Sequence, residues 1–320
     1  MKINFDDFPI SGAGSLPFTD WNRALEFVAS HCSDFPFLPE LPKENSREFM
    51  VMRPLREIDA CYCLSGGQVE IKGASASEIA RSLKKADLSI ALRGRLTEFF
   101  SRFCSAPRVK IQVVGPITFG ENLIWNGTAV SESAEIHQLA LDFYLRWIEQ
   151  YIGFALEQRS GTTFCVFDEP MLGVSSPNPV SRARGQKVLA KIMPQFEKGA
   201  MHTGIHCCSF LQNAPEVLFA GNCLTFDASL KNFIFVADRF ERRENVPSWL
   251  GLGFGGAHGV LAAAEVVQFF RENISRLEML RKKSNLFLTP ACGQALFTEQ
   301  LCYELFHALV DARKLLCRAF

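Results

Sequence analysis

Short apolar runs alternate with long amphipathic segments along almost the whole chain. Six of the runs are candidate strands, at residues 109–114, 163–167, 203–207, 223–226, 249–253 and 285–288, and most of them are apolar through their length. Uniform apolar character is typical of parallel strands that are covered on both faces. The pattern therefore predicts a parallel sheet that packs between helices.

The segments between these runs carry apolar residues at helical spacing. The first predicted helix begins at a capping box over residues 75–78, and its apolar face comprises Ile79, Leu83, Ala86 and Ile90. Further helices are predicted at residues 131–156, 179–198, 211–220, 261–282 and 297–318. Repeated strand–helix units indicate an α/β protein.

We predict a single (β/α)8 TIM barrel domain that spans residues 1–320, because the strand count approaches eight when strands near 10–14 and within 36–63 are included. Residues 32–75 are the least regular, and we expect them to form an excursion near the barrel mouth. A doubly wound sheet is the alternative. Its glycine-rich phosphate turn is poorly matched by Gly-Ala-Gly-Ser-Leu-Pro at 12–17, since proline interrupts that run.

Composition excludes several classes of function. Lys plus Arg and Asp plus Glu number 34 each, so no net field favours nucleic acid or an anionic membrane. No apolar stretch reaches the roughly 18 residues of a membrane span, and the amino terminus is polar and acidic. The 11 cysteines do not form a compact disulfide framework. We therefore expect a cytoplasmic protein whose thiols are available for metals or catalysis.

Polar residues follow the predicted strands where the strands end. Functional groups of TIM barrels collect at these carboxyl ends. The residues in question are Ser15, the run Gly-Pro-Ile-Thr at 115–118, the run Asp-Glu-Pro at 168–170, His206, Cys208, Asp227 and Cys292. Scattered surface polarity does not produce such a register, so we expect these groups to face one site.

His206, Cys208 and Cys292 form the candidate metal site. An imidazole and two thiolates suit zinc and leave a fourth position for an acid or a substrate. The His-x-Cys pair is weak evidence alone, because a free cysteine is most often a small buried hydrophobe. The third soft ligand, between proline and glycine at another strand end, favours a metal site. Cys207 is expected to point away into the core.

Two further residues have open alternatives. Asp168 either caps a helix or pairs with an arginine, as most such acids do, or it faces the barrel mouth and binds a substrate ammonium. His258, in Gly-Gly-Ala-His at 255–258, is either a proton-transfer group or an ordinary loop histidine.

These segments resemble the catalytic barrel of cobalamin-independent methionine synthase, in the superfamily that also includes uroporphyrinogen decarboxylase and corrinoid-linked methyltransferases. The motifs run in order along nearly the whole chain: Gly-Ser-Leu-Pro at 14–17, 115–118, Phe-Asp-Glu-Pro at 167–170, His-Cys-Cys at 206–208, Leu-Thr-Phe-Asp at 224–227 and Pro-Ala-Cys-Gly at 290–293. The resemblance implies zinc held by His206, Cys208 and Cys292. It also implies that Ser15 and Asp168 hold the carboxylate and amino group of homocysteine.

This chain departs from the family at one ligand, since Asp227 stands where the family has a zinc-binding glutamate. The resemblance implies a zinc-dependent methyltransferase that acts on a thiol, with homocysteine as the acceptor, in methionine biosynthesis. We expect no counterpart of the family's amino-terminal half, which contributes to folate binding. The donor is therefore open between a folate and a methylcorrinoid, which a protein could carry. The alternatives are corrinoid-linked transfer to another thiol and a barrel that binds metal or thiol without turnover.

Overall fold

The computed structural model describes residues 8–64, 67–84, 86–159, 161–174, 178–197, 199–255, 259 and 261–319. Its strands are β1 (Cys61–Cys63), β2 (Val69–Ile71), β3 (Arg108–Val114), β4 (Leu123–Trp125), β5 (Thr128–Ala129), β6 (Thr162–Asp168), β7 (Met201–Cys207), β8 (Cys223–Asp227), β9 (Trp249–Phe254) and β10 (Asn285–Pro290). Its helices are α1 (Trp21–His31), α2 (Ala76–Ser82), α3 (Ile90–Arg102), α4 (Pro116–Glu121), α5 (Ala134–Gln158), α6 (Pro179–Phe196), α7 (Leu230–Glu241), α8 (Ala263–Glu272), α9 (Ile274–Lys283) and α10 (Glu299–Ala319).

The six candidate strands form one parallel sheet, in the order β10-β9-β8-β7-β6-β3. Every pair of neighbours in this ladder is parallel, which confirms the predicted strands and their direction. The side chains of β3 and β6 are almost all buried, as expected where helices cover one face and a core fills the other. The parallel order brings the carboxyl ends of all six strands to one edge.

Two extended segments lie beside the edge strands of this curled sheet. Isolated parallel bridges join Ile10 to Leu288, Ser15 to Glu40 and Phe37 to Lys110. In the described part of the chain, the segments near 10–14 and around Phe37 and Glu40, where strands were predicted, therefore make isolated bridges instead of full strands. The structure shows an α/β fold with a parallel six-stranded sheet, and it does not confirm a full eightfold barrel.

Three predicted helices have different bounds. The helix predicted from residue 75 ends at Ser82, and a second helix starts after the cap Ser89, so Ile90 lies 90% exposed instead of on the buried face. Residues 211–220 form two 3-10 turns, because Pro215 between them cannot continue a helix. The helix predicted over 261–282 divides at Asn273 into α8 and α9.

Helices α1 and α7 were not predicted from the apolar pattern, although both carry buried apolar faces. No helix in the described part of the chain is long and apolar enough to cross a membrane.

The irregular region 32–75 is fixed against the sheet by buried charges. Arg53 donates to Glu40 at 2.6 Å, and both side chains are buried. Glu48, which is fully buried, pairs with Arg56 and with Arg95. Buried charges require such partners, since an unpaired buried charge is costly. This network holds Glu40 and Glu48 beside the carboxyl ends of the strands.

Candidate active site

The sheet register places three polar residues side by side at the ends of neighbouring strands. Asp168 on β6 lies opposite His206 on β7, and His206 lies opposite Thr225 on β8. Since adjacent parallel strands are about 4.8 Å apart, residues in register are within reach of one another. These three strand-end residues therefore lie close together, as we expected for the groups at the strand ends.

The thiols of Cys208 and Cys292 are in contact although 84 residues separate them in the sequence. Cys208 follows the end of β7, and Cys292 follows the end of β10. A hydrogen bond from Cys208 lowers the pKa of Cys292, with a further contribution from His206, and the same bond raises the pKa of Cys208. The two thiols therefore interact directly.

His206 completes the cluster. Its Nδ1 lies 2.8 Å from the hydroxyl oxygen of Thr225, and its side chain is 5% exposed. The buried Nε2 makes no hydrogen bond of ordinary geometry with the described residues, although the ring is near enough to stabilise the Cys292 thiolate. A buried nitrogen without a partner is costly, so this atom is suited to a ligand.

The donor atoms fit a soft divalent metal by their chemistry, because two thiols and one imidazole nitrogen lie near one another at the strand ends. Among the described residues, no set of three or more His, Cys, Asp or Glu side chains already has the spacing that would hold a metal ion. Zinc therefore stays a prediction. Cys207 points away, as predicted: it is fully buried in the apolar core.

Of the two adjacent acids, it is Glu169 and not Asp168 that caps a helix. The carboxylate of Glu169 is fully buried and accepts three hydrogen bonds, from the Ile117 and Thr118 amides and the Thr118 hydroxyl, at 2.7–2.9 Å. Glu169 thereby caps the amino terminus of α4. A side chain on Gly115 would meet this carboxylate at 2.2 Å, which explains the glycine.

Asp168 faces the site instead. Its Oδ1 is buried without a hydrogen-bond partner among the described residues. Burial raises the pKa of Asp168 well above its ordinary value, and the buried ammonium of Lys110 opposes that rise. A carboxyl group in this position gains most from a cationic partner, because a positive charge restores the ionised form.

A cavity of about 230 Å³, here called the polar cavity, joins these residues. Its lining includes Ser15, Glu40, Glu48, Asp168, His206, Cys208 and Cys292. Ser15 packs closely on the Cys292 loop, since a side chain on Gly293 would meet the Ser15 hydroxyl at 2.0 Å. Glu40 and Glu48 were not singled out from the sequence. The bridge of Glu40 to Ser15 is what brings them here, and no local motif signals it.

A second cavity of about 500 Å³, here called the apolar cavity, also reaches the thiol pair. Cys208 and Cys292 line both cavities. Asp227 lines only the apolar cavity, and its Oδ1 accepts a hydrogen bond from the Ser229 amide at 3.1 Å. Its role as a metal ligand stays a prediction. His258 lies outside the described residues.

Comparison with known proteins finds solved structures that share the fold. No family model matches the chain, and no curated protein matches it. A B12-independent methionine synthase from Shewanella sp. W3-18-1, solved in complex with selenomethionine, is similar at a TM-score of 0.61 and 14% identity, with 97% of this chain and 98% of that chain covered. A putative vitamin-B12 independent methionine synthase from Listeria monocytogenes is similar at a TM-score of 0.57 and 13% identity, with 93% and 86% covered. At these identities the similarity shows a shared fold.

Proposed function

We propose that this protein transfers a methyl group to the thiol of an amino acid, with homocysteine as the acceptor. The observation that carries the proposal is the position of the thiol pair and of His206. The two thiols line both the polar cavity and the apolar cavity, and His206 lies beside Cys292 with its buried Nε2 outside any hydrogen bond of ordinary geometry. The shared fold of the two methionine synthases, one with selenomethionine bound, supports the same activity.

Zinc is the proposed cofactor, with His206, Cys208 and Cys292 as its ligands and Asp227 as the candidate fourth. When bound, zinc keeps a thiol deprotonated at neutral pH. Two thiolates and a carboxylate are net anionic, so these side chains leave an acceptor sulfur rich in electrons. We also propose that the fold is an eightfold barrel. In it, residues 9–16 and 36–40 take the two strand positions that the six-stranded sheet leaves open.

The polar cavity is proposed to hold the amino-acid part of the acceptor. Asp168 and Glu40 contribute carboxyl groups that suit an ammonium, and Ser15 contributes a hydroxyl that suits a carboxylate. An acceptor held at both groups has its sulfur beside the thiol pair. Fixing this geometry is a large part of the rate enhancement of a bimolecular transfer.

The direct test is methyl transfer by the zinc-loaded protein to homocysteine, with methylated folate, methylcobalamin and a methylsulfonium ion as separate donors. We expect methionine to form with one of the donors. The proposal fails if metal-loaded protein forms no methionine from any of them, since the chain would then be a barrel that binds metal or thiol without turnover.

Thr225 offers a test of how His206 is oriented. Thr225→Val keeps the shape of the side chain and removes the hydroxyl that holds Nδ1 of His206. We expect zinc affinity to fall by roughly 10-fold to 100-fold, the usual effect of losing such an orienting partner. Competition with a chelator measures the affinity. Thr203→Val, a buried threonine on β7 whose hydroxyl bonds Glu197 at 2.6 Å, is the matched control and should keep the wild-type affinity.

A further inference from the structure

The two cavities suit different substrates of the proposed reaction. The polar cavity has the carboxyl groups and the hydroxyl for an amino acid, and the apolar cavity meets it at Cys208 and Cys292. In a direct methyl transfer, the donor approaches the acceptor sulfur from the side that the rest of the acceptor leaves open. If the proposed function holds, on which this inference rests, the apolar cavity receives the methyl donor.

The charges of the apolar cavity disfavour an anionic donor. Its described lining contains the carboxyl groups of Asp227 and Glu265 and the two thiols, and it contains no lysine or arginine. Residues 256–258 and 260, which adjoin the lining residues in the sequence, are Gly, Ala, His and Val, so they add no lysine or arginine either. A donor with several carboxylates or phosphates would find no lysine or arginine in this described lining to balance its charge, which opposes binding.

Two aromatic rings add a feature that favours a cation. Phe254 and Phe269 both line the apolar cavity, and their rings meet edge to face, with centroids 5.3 Å apart and an interplanar angle of 77°. The negative face of such a ring attracts a positive charge, most strongly one that is weakly hydrated, as in quaternary ammonium ligands. A cavity with aromatic rings and carboxyl groups but no base has the chemistry of an onium site.

We propose that the apolar cavity binds a methylated onium cation, and that a methylsulfonium ion is the methyl donor. The lone pair of the acceptor thiolate forms the new sulfur–carbon bond while the carbon–sulfur bond of the donor breaks. The electron pair of the broken bond stays on the leaving sulfur, which departs as a neutral thioether. No proton moves, and one positive and one negative charge disappear. A reaction that consumes opposite charges is favoured where water is excluded.

Binding of small probes tests the site without turnover. The probes are trimethylsulfonium, the neutral 2-methylpropan-2-ol, which also carries three methyl groups on one central atom, and methanesulfonate, each titrated calorimetrically into the zinc-loaded protein. We expect the cation to bind at least about 3-fold more tightly than the neutral probe, as a partly desolvated cation–π contact implies. Equal or tighter binding of the neutral or the anionic probe would overturn the inference.

Substitutions locate the binding. Glu265→Gln removes a charge from the cavity and keeps a side chain that can cap α8, since Glu265 accepts from the Ala262 amide at 2.7 Å. Phe269→Leu removes the half-buried ring. Each variant should weaken trimethylsulfonium binding by roughly 2-fold to 5-fold, the effect of one exposed charge or one cation–π contact. Glu272→Gln, an exposed acid on the same helix outside the cavity, should leave binding unchanged.

Turnover separates this inference from the proposed function. With trimethylsulfonium as donor, we expect dimethyl sulfide and methionine to form in equal amounts, measured by gas and liquid chromatography. Methionine from a folate or from methylcobalamin, with none from trimethylsulfonium, would uphold the proposed function and refute the onium donor. Absence of methionine with every donor would refute the proposed function itself.

Discussion

Cys292→Ser is expected to abolish both zinc retention and methyl transfer, and Cys208→Ser should do the same. Serine is a hard, weakly acidic ligand, whereas the soft thiolate is the ligand that selects zinc. In this chain the two thiols interact directly, so loss of either leaves a single thiolate among the proposed ligands. The zinc content of purified protein, measured by elemental analysis, should fall from about one ion per chain to near zero.

The matched control for these variants is Cys207→Ala. Cys207 lies between His206 and Cys208 in the sequence, yet its side chain is fully buried in the core and faces away from the site. We expect this variant to keep its zinc, with some loss of stability. Retention of a full complement of zinc by both Cys208→Ser and Cys292→Ser would refute the assignment of ligands.

The second largest effect is expected for Asp168→Asn, which should weaken the preference of the protein for an acceptor that carries an amino group. The carboxyl group of Asp168 is 6% exposed and lines the polar cavity with Oδ1 unpartnered. Losing one partner of a buried charge pair typically costs 2–5 kcal/mol, so kcat/KM for homocysteine should fall by roughly 30-fold or more. The loss should be mainly in KM, because the group binds the substrate and does not take part in bond making.

An acceptor without an amino group provides the control for Asp168. With 4-mercaptobutanoate as acceptor, the wild-type protein should have a low kcat/KM. The Asp168→Asn variant should have a similar kcat/KM, because neither protein can form the ion pair with this acceptor. A fall of the same size with both acceptors would show that the substitution damages the fold and would contradict the proposed contact.

The apolar pattern was sufficient to predict the six strands of the sheet, because parallel strands covered on both faces are mostly apolar, although β3 also buries Lys110 and Gln112. The two edge segments were harder to predict. Residues near Ile10 and Phe37 make single bridges, and their positions depend on long-range contacts with β10 and β3 that no local pattern shows. The helix predicted from residue 75 was too long, because Ile90 continues the apolar spacing but follows the cap of a new helix.

More of the thiol pair than of the residues around it could be predicted from the sequence. Cys208 and Cys292 were recognised because each follows a strand of the same parallel sheet, and the structure brings their sulfurs into contact. Glu40 and Glu48 could not be found in this way. They come from the irregular region, where buried pairs with Arg53, Arg56 and Arg95 set their positions, and such pairs leave no periodic signal in a sequence.

X-ray absorption at the zinc edge of the purified protein tests the central claim most directly. The account predicts zinc bound by two sulfurs at about 2.3 Å and by nitrogen or oxygen ligands at about 2.0–2.2 Å. A zinc environment without sulfur, or protein that binds no zinc when the metal is supplied, would contradict it.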